Sequence, residues 1–196
     1  MGRTGGYASL RPDGSIFLMS VRLAEHDPAW ATAFADEAQG IRAALGEPVV
    51  QLHHIGSTAV RGMLAKPIID MLGVVDCLDA MDRYNPAMQA LGYEVMGTFG
   101  IEGRRYFRKF DESGRRTHHL HMFERGCTHI ERHLAFRDFL RNHPQEVAQY
   151  SMLKAGIVAG GHTSWDDYGA AKDAYVEQAE RRALDWYRRQ GVQQDG

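Results

Sequence analysis

Apolar residues recur at helical spacing in the segment that follows Asp27-Pro28. That pair predicts a helix start, because the aspartate side chain accepts a hydrogen bond from free amides and proline there removes no needed donor. The apolar positions stand four, four, three and four residues apart: Trp30, Phe34, Ala38, Ile41 and Leu45. This spacing predicts one buried face of an amphipathic helix, and Gly46 is placed to end it.

Two β-segments and a helical stretch follow. Val49–Ile55 predicts a strand that runs into the small-residue turn Gly56-Ser57-Thr58. Ile68–Val75 is almost continuously apolar, which is typical of a strand covered on both faces, so we expect it inside the sheet. From Leu78 to Leu91 the pattern is helical, with a restart at Asn85-Pro86.

The second half of the chain predicts a hairpin and then helices. Arg104–Phe110 and Arg116–Phe123 are β-rich runs that flank four turn-forming residues, 111–114. Three helices are expected after the hairpin: one near Ile130–Asn142, one that starts at Pro144, and one capped by Ser164 with Asp167 three residues on.

The order of helix, mixed strands and a helical C-terminal third predicts an α+β fold. We expect one domain over residues 21–190, after a loose leader over residues 1–20 that feeds a first strand near Ser15–Leu23. The predicted core comprises Trp30, Phe34, Ile69 and Phe107, and the apolar face of the last helix: Trp165, Tyr168, Tyr175, Ala179, Ala183 and Trp186.

Composition narrows the classes of partner. The 196 residues suffice for one sizeable core, and 44% apolar with 24% charged residues is globular composition. A net charge of -2 without a basic run argues against a nucleic-acid partner or an anionic membrane. No apolar run approaches the roughly 20 residues of a membrane-spanning helix. With no spacing motif between Cys77 and Cys127, we expect a cytoplasmic protein, and its oligomeric state stays open.

The segment from Gly56 to Asp70 carries the first candidate chemistry. Glycine lets the backbone approach a ligand closely, and consecutive turn amides with the hydroxyls of Ser57 and Thr58 are able to cradle phosphate oxygens; the alternative is an ordinary turn. Asp70 stands in an apolar run, where an unpaired carboxylate is costly to bury. It is either a structural acid satisfied by Lys66 or nearby amides, or a metal ligand at the edge of a pocket.

Several separate motifs, in order, resemble the GrpB family of nucleotidyltransferase-like proteins from about Val21 to Arg189. The matching stretches are Asp27-Pro28-Ala29-Trp30, His54-Ile55-Gly56-Ser57-Thr58-Ala59-Val60, Ala65-Lys66-Pro67-Ile68-Ile69-Asp70, Gly92-Tyr93, Tyr106-Phe107-Arg108-Lys109, His118-His119-Leu120-His121, Phe136-Arg137-Asp138-Phe139-Leu140-Arg141-Asn142-His143-Pro144 and Leu153-Lys154. The resemblance implies a nucleotidyltransferase-type fold, a small mixed β-sheet backed by helices.

The resemblance also implies a nucleotide pocket with a divalent ion, Mg²⁺ or Mn²⁺. The superfamily pattern is Gly-Ser, a spacer of about a dozen residues, and two acids one residue apart. Here Gly56-Ser57 is followed by twelve residues and Asp70, but Leu72 holds the second acid position. Glu102 or Glu124 could complete the site from neighbouring strands. Nucleotidyl transfer therefore stands beside a second hypothesis, a non-catalytic nucleotide-binding or accessory module, as in family members fused to dephospho-CoA kinase.

His119 and His121 share one face of the predicted strand, with Leu120 and Met122 on the other. A turn centred on Glu112-Ser113 would place Tyr106 opposite His119 and Arg104 opposite His121, which gives a polar, cationic face. Three interpretations stay open. The histidines form a solvated face, donate to an anionic substrate, or bind zinc, manganese or nickel together with Asp70.

Basic residues complete the candidate site. Lys66 precedes the Asp70 strand in the family's Lys-Pro-Ile-Ile-Asp block, and Lys154 is the helical lysine most consistent with a pocket. Arg137, Arg141 and Lys154 are all on predicted helices, and any of them could form a structural ion pair with Asp138 or Glu146. The predicted catalytic residues are Asp70, His119 and His121, with Asp70 also the metal ligand. The predicted contacts to a nucleotide or another phosphorylated small molecule are Gly56, Ser57, Thr58, Lys66, Arg104, Tyr106 and Lys154.

Overall fold

A five-stranded mixed β-sheet with helices on both faces organises the protein. The computed structural model describes residues 8–10, 16–18, 21–46, 50–162 and 164–194. The strands are β1 (Ala8–Leu10), β2 (Ile16–Leu18), β3 (Gln51–Ile55), β4 (Ile69–Val75), β5 (Tyr93–Val95), β6 (Arg104–Phe110) and β7 (Arg116–Glu124). The helices are α1 (Ala29–Leu45), α2 (Asn85–Ala90), α3 (Thr128–Asn142), α4 (Pro144–Ala159) and α5 (Trp165–Gln194), with 3₁₀ turns at Ser57–Ala59 and Asp79–Tyr84. This confirms the predicted α+β class and its helical C-terminal third.

The main sheet has the strand order β3-β4-β7-β6-β5, and β1 and β2 form a separate antiparallel pair. Within the main sheet β4 and β7 run parallel, whereas the other neighbouring strands are antiparallel. β4 is therefore an interior strand, as its continuous apolar run predicted. The parallel ladder sets Asp70 beside His119 and Leu72 beside His121.

The first helix covers one face of the sheet as its spacing predicted. The amide of Ala29 donates to the Asp27 carboxylate at 2.9 Å, and Gly46 ends α1 with φ of 82°. Trp30 is buried and Phe34 is half-buried against the same core. Ile69 and Phe107 meet this core from the sheet.

Helices α3, α4 and α5 cover the opposite face. The hydroxyl of Ser164 accepts from the Asp167 amide at 3.1 Å, which confirms the predicted cap of α5. Of the predicted apolar face of α5, Tyr168, Ala179 and Ala183 are buried, whereas Trp165, Tyr175 and Trp186 are half-buried. Among the described residues, no helix combines the length and apolarity needed to cross a membrane.

The β6–β7 hairpin forms with a register two residues away from the predicted one. Tyr106 pairs with His121, and Arg104 with Phe123. The Asp111 carboxylate accepts from the amides of Ser113 and Arg115, which centres the turn on Ser113; an irregularity between Lys109 and Phe110 adds the second step. A shift of two residues preserves the faces of both strands, so Arg104 and Tyr106 still lie on the face of the histidines.

Some expected boundaries differ or lie outside the described residues. Within the expected first strand, Ser15–Leu23, the structure has strand only over Ile16–Leu18; residues 15, 19 and 20 are outside the described ranges, and 21–23 are not strand. Val49, the expected start of β3, and most of the expected leader also lie outside the described residues. The helical stretch before β5 divides at Asn85-Pro86 as predicted, but its first part is a 3₁₀ turn.

Candidate functional site

A cavity of about 360 Å³ lies where the ends of β3, β4 and β7 face helices α3, α4 and α5. Eight of the predicted site residues line it: Gly56, Ser57, Thr58, Lys66, Asp70, His119, His121 and Lys154. The other two, Arg104 and Tyr106, do not line the cavity. Arg104 contacts His121, and the Tyr106 ring packs against the rings of His119 and His121. The two halves of the lining come from distant parts of the chain, so only the fold brings them together.

The Gly56 turn is packed directly against the Asp70 carboxylate. Gly56 has φ of 70° and ψ of -171°, a backbone conformation that is almost restricted to glycine. A Cβ atom at this position would lie 2.6 Å from Asp70 Oδ2. Glycine is therefore required twice, by its own backbone conformation and by the close approach of the acid.

The hydroxyl of Thr58 braces this turn from inside the protein. Thr58 Oγ1 donates to the Ile68 carbonyl at 3.2 Å and lies 3.0 Å from His54 Nε2. Since the hydroxyl proton is used on Ile68, His54 must be the donor in the second bond. Burial lowers the pKa of His54 to about 4, so this ring is neutral at pH 7, and Thr58 ties β3 to the start of β4.

Asp70 and His119 form a hydrogen-bonded pair across the parallel ladder. His119 Nδ1 lies 2.9 Å from Asp70 Oδ1, and an ionised carboxylate only accepts, so the Nδ1 proton is on His119. Burial raises the pKa of Asp70, but the His119 hydrogen bond and the nearby charges outweigh it and lower the pKa to about 2. Ligand atoms of Asp70, His119 and His121 lie within 4.8 Å of one another.

Arg104 and Tyr106 support the histidines. Arg104 Nη1 lies 3.3 Å from His121 Nδ1, and the same guanidinium donates to the carbonyls of Thr98 and Phe99 at 3.1 and 2.8 Å. The Tyr106 ring centroid is 5.1 Å from that of His121 and 5.7 Å from that of His119. Burial is the main cause that lowers the pKa of His121 to about 3, which makes it a neutral ring at pH 7.

Three of the chain's four lysines face the cavity: Lys66, Lys154 and Lys172. Lys154 Nζ donates to Ser57 Oγ at 3.1 Å and to the Leu64 carbonyl. Lys66 Nζ lies 3.7 Å from the Trp165 ring centroid. Burial, assisted by the charge of Lys172, lowers the pKa of both Lys66 and Lys154 to about 7.

The helical wall of the cavity contains residues that sequence reasoning missed: Arg132, His133, Phe136, Tyr150, Lys172, Val176 and Glu180. Arg132 and Glu180 form an ion pair across α3 and α5. The remaining wall residue, Tyr168, is buried as predicted but also borders the cavity. A signal was present in the sequence, since Lys172, Val176 and Glu180 continue from Tyr168 at spacings of four, but helix spacing alone does not tell a cavity wall from a core.

Arg137 and Arg141 do not line the cavity. Arg137 Nε bonds Asp138 at 2.7 Å and its Nη1 donates to the His54 carbonyl, while Arg141 donates to the Ala59 carbonyl at 3.0 Å. Both therefore tie α3 to the β3 strand and the Gly56 turn, which agrees with the structural role expected for them.

The model of the GrpB protein family matches residues 20–182 of this chain, most of its length. The chain belongs to the GrpB family. Its relatives include UPF0157 protein YqkA of Bacillus subtilis, 41% identical over 166 residues; the match covers 85% of this chain and 48% of the Bacillus protein, so the chain spans about half of that relative. A crystal structure of conserved protein GrpB from Enterococcus faecalis has a TM-score of 0.80 and 40% identity, and the match covers 85% of this chain and 99% of that one.

A relative of lower identity has the name of an enzyme. It is a dephospho-CoA kinase of Mycolicibacterium paratuberculosis, 26% identical over 189 residues, and the match covers 85% of this chain and 46% of that protein. The similar region is therefore less than half of the kinase chain.

The magnesium ion that the sequence resemblance implies does not fit the residues of this cavity. Leu72, at the second acid position, is fully buried in an apolar cluster with Ile55, Val74 and Phe123. Glu124 accepts from the Leu78 amide at 2.9 Å at the far end of β7, and neither Glu102 nor Glu124 lines the cavity. Magnesium prefers oxygen ligands in octahedral geometry, whereas the groups near Asp70 are two imidazoles.

Proposed function

We propose that the cavity of this GrpB-family protein binds a phosphorylated small molecule. The observation that carries the proposal is the convergence of Lys66, Lys154 and Lys172 on one cavity beside the Gly56-Ser57 turn. Lysines are strongly hydrated and are seldom buried without a partner. In the structure Lys154 Nζ donates to Ser57 Oγ and the Leu64 carbonyl, and Lys66 Nζ lies over the Trp165 ring. An anion in the cavity would add a negatively charged partner and would favour the charged form of both lysines.

The Gly56-Ser57 turn is expected to donate hydrogen bonds to the phosphate, and the lysines are expected to supply positive charge. Ser57 Oγ already accepts from Lys154, so its hydroxyl proton is free to donate to a phosphate oxygen, and turn amides add further donors. Lys66 and Lys172 contribute charge from the loop before β4 and from α5. The apolar part of the wall, Phe136, Tyr150 and Tyr168, suits a nucleoside or another apolar group, and the volume lies within the range of small-molecule sites.

Two roles are consistent with such a ligand. The first is nucleotidyl transfer, in which Asp70, His119 and His121 face the reacting phosphate. The second is a non-catalytic accessory module, and the relative named dephospho-CoA kinase favours it because its similar region is only part of a larger chain. The missing second acid at Leu72 also favours the accessory role.

Binding can be tested without any metal. Phosphate, pyrophosphate, AMP and ATP are titrated in a chelator, and melting temperature and calorimetric affinity are measured. A ligand at about 100 times Kd stabilises by roughly 2.7 kcal/mol, a shift of several degrees for a chain of this size. Because a hydrogen bond from a charged group contributes about 1.5–3 kcal/mol, Lys154→Met and Lys66→Met should each weaken binding by about tenfold or more.

Lys109→Met is the matched control, because Lys109 pairs with Glu37 under α1, outside the cavity. Its melting temperature without ligand should fall, since Glu37 loses its partner, but its ligand affinity should equal that of the wild type. The proposal fails if none of the four ligands binds the folded wild type, or if Lys109→Met weakens binding as much as Lys154→Met.

Transfer is tested separately from binding. The four nucleoside triphosphates are incubated with the protein and Mg²⁺, Mn²⁺ or Zn²⁺, and release of pyrophosphate is followed for wild type and Asp70→Asn. Release that the Asp70 variant loses supports the transferase role. Binding without release under every metal supports the accessory role.

A further inference from the structure

We infer that Asp70, His119 and His121 form a binding site for a transition-metal ion of the Zn²⁺ class, and not for Mg²⁺. The site would supply a Lewis acid beside the lysines of the cavity, but the inference does not depend on the proposed phosphate binding. It rests on the placement and chemistry of three side chains.

The geometry comes from the parallel pairing of β4 and β7. Asp70 and His119 are direct neighbours in this ladder, and His121 follows two residues later on the same face. Their ligand atoms lie within 4.8 Å of one another. Ligands on one zinc ion lie about 2.0–2.2 Å from the metal, so a small side-chain rotation is enough to gather them, and interior strands hold the backbone of all three.

The donor set selects the kind of metal. Two imidazoles and one carboxylate suit zinc, nickel or cobalt, whereas magnesium prefers oxygen ligands. Three protein ligands are also the usual number at zinc sites that keep a position for water or substrate. The buried apolar position of Leu72 removes the second carboxylate that a magnesium site would need.

A second observation concerns an unsatisfied atom. His119 Nε2 is buried without a hydrogen-bond partner among the described residues, although its Nδ1 bonds Asp70 at 2.9 Å. A buried polar nitrogen without a partner is costly. A turn of the His119 ring that brings Nε2 towards Asp70 and His121 would let a metal ion satisfy this nitrogen, and the metal–ligand bonds would replace the Nδ1 hydrogen bond to Asp70.

Arg104 is the group that opposes a cation here. Its Nη1 lies 3.3 Å from His121 Nδ1, so a metal on His121 must compete with the guanidinium. Arg104 keeps its two bonds to the carbonyls of Thr98 and Phe99 when the His121 contact is lost. Removing the positive charge should therefore strengthen metal binding.

The test uses metal alone on the chelator-treated protein. Zn²⁺ and Co²⁺ are titrated by calorimetry, and Co²⁺ is also followed by its visible absorption. We expect one ion per chain with no competition from millimolar Mg²⁺. His119→Ala and His121→Ala should each lower the affinity at least tenfold, and Arg104→Met should raise it several-fold.

His162→Ala is the control for adventitious binding in a chain with ten histidines, because His162 is exposed and lies outside the cavity lining; it should leave the affinity unchanged. Circular dichroism checks folding, and His119→Gln and His121→Asn replace any alanine variant that does not fold. The inference is overturned if folded wild type binds neither ion, if binding survives both histidine substitutions, or if Arg104→Met weakens it. The metal titration contains no phosphate, so its failure would not count against anion binding. The anion titration contains a chelator, so its failure would not count against the metal site.

Discussion

Gly56 is the residue at which the backbone comes closest to the carboxylate of Asp70. The sequence predicts that this glycine belongs to a phosphate-binding turn or to an ordinary turn, and the structure adds a packing reason for glycine at this position. The turn and the acid are in contact, so the position of one fixes the position of the other.

We predict that Gly56→Ala destabilises the protein by about 3 kcal/mol, because it adds backbone strain to a close contact with Asp70 Oδ2. Gly62→Ala is the matched control, since Gly62 also has positive φ, 77°, but a Cβ there would meet open space; we expect about 1 kcal/mol. Urea denaturation measures both. Equal losses of stability would show that the contact with Asp70 carries no cost.

At the scale of elements, the pairing of β4 with β7 and the packing of α3 on the sheet decide which side chains of β4 face the cavity and which are buried. Asp70 and Leu72 lie on the same face of β4, but Asp70 faces the cavity and Leu72 lies in the apolar cluster against α3. Restoring the superfamily's second acid would therefore bury a carboxylate.

We predict that Leu72→Asp lowers the free energy of unfolding by about 4 kcal/mol or more, because an unpaired charge would replace a fully buried side chain. Leu72→Met, which nearly conserves volume, should cost less than about 1.5 kcal/mol. Chemical denaturation with and without Mg²⁺ measures both effects. A stable Leu72→Asp protein whose stability rises with Mg²⁺ would contradict the apolar role of this position.

At the scale of the whole molecule, the lowered pKa values of Lys66 and Lys154 predict a dependence of stability on pH. Burial lowers the pKa of Lys66 and Lys154 to about 7, while an unfolded chain has lysine pKa values of about 10.4. Between these values the unfolded state binds more protons than the folded state. The contribution of these lysines to the free energy of unfolding therefore rises with pH from about 7 to about 10.

We expect urea denaturation at pH 7, 8 and 9 to show this rise, and Lys66→Met and Lys154→Met each to reduce it relative to wild type. The comparison with the variants removes the contributions of other groups that titrate in the same window. An unchanged pH dependence in both variants would mean that the folded protein keeps these lysines charged.

The sequence by itself determined most of the helices, the strands β3, β4, β6 and β7, and the faces of β6 and β7. It did not predict β5 or the 3₁₀ turn at Asp79–Tyr84. The 3.6-residue period of α1 reflects burial of one helix face, and the continuous apolar run of β4 reflects cover on both faces. The cap of α5 is a hydrogen bond between residues three apart, so all three features depend on local sequence. The faces of Arg104 and Tyr106 survived an error in register, because a slip of two residues keeps a strand's faces. The spacing from Gly56-Ser57 to Asp70 was also visible in the sequence, because the turn follows β3 and Asp70 lies in the next strand, β4.

Only the tertiary structure decided which residues meet. Arg132, Tyr150, Lys172 and Glu180 reach the cavity because α3, α4 and α5 pack at particular rotations against the sheet, and spacing within one helix does not fix its rotation against another. The 3.3 Å contact of Arg104 with His121 depends on a turn centred by Asp111 and on an irregularity in β6. Local pattern fixes the face a side chain takes, whereas its neighbours are set by long-range packing.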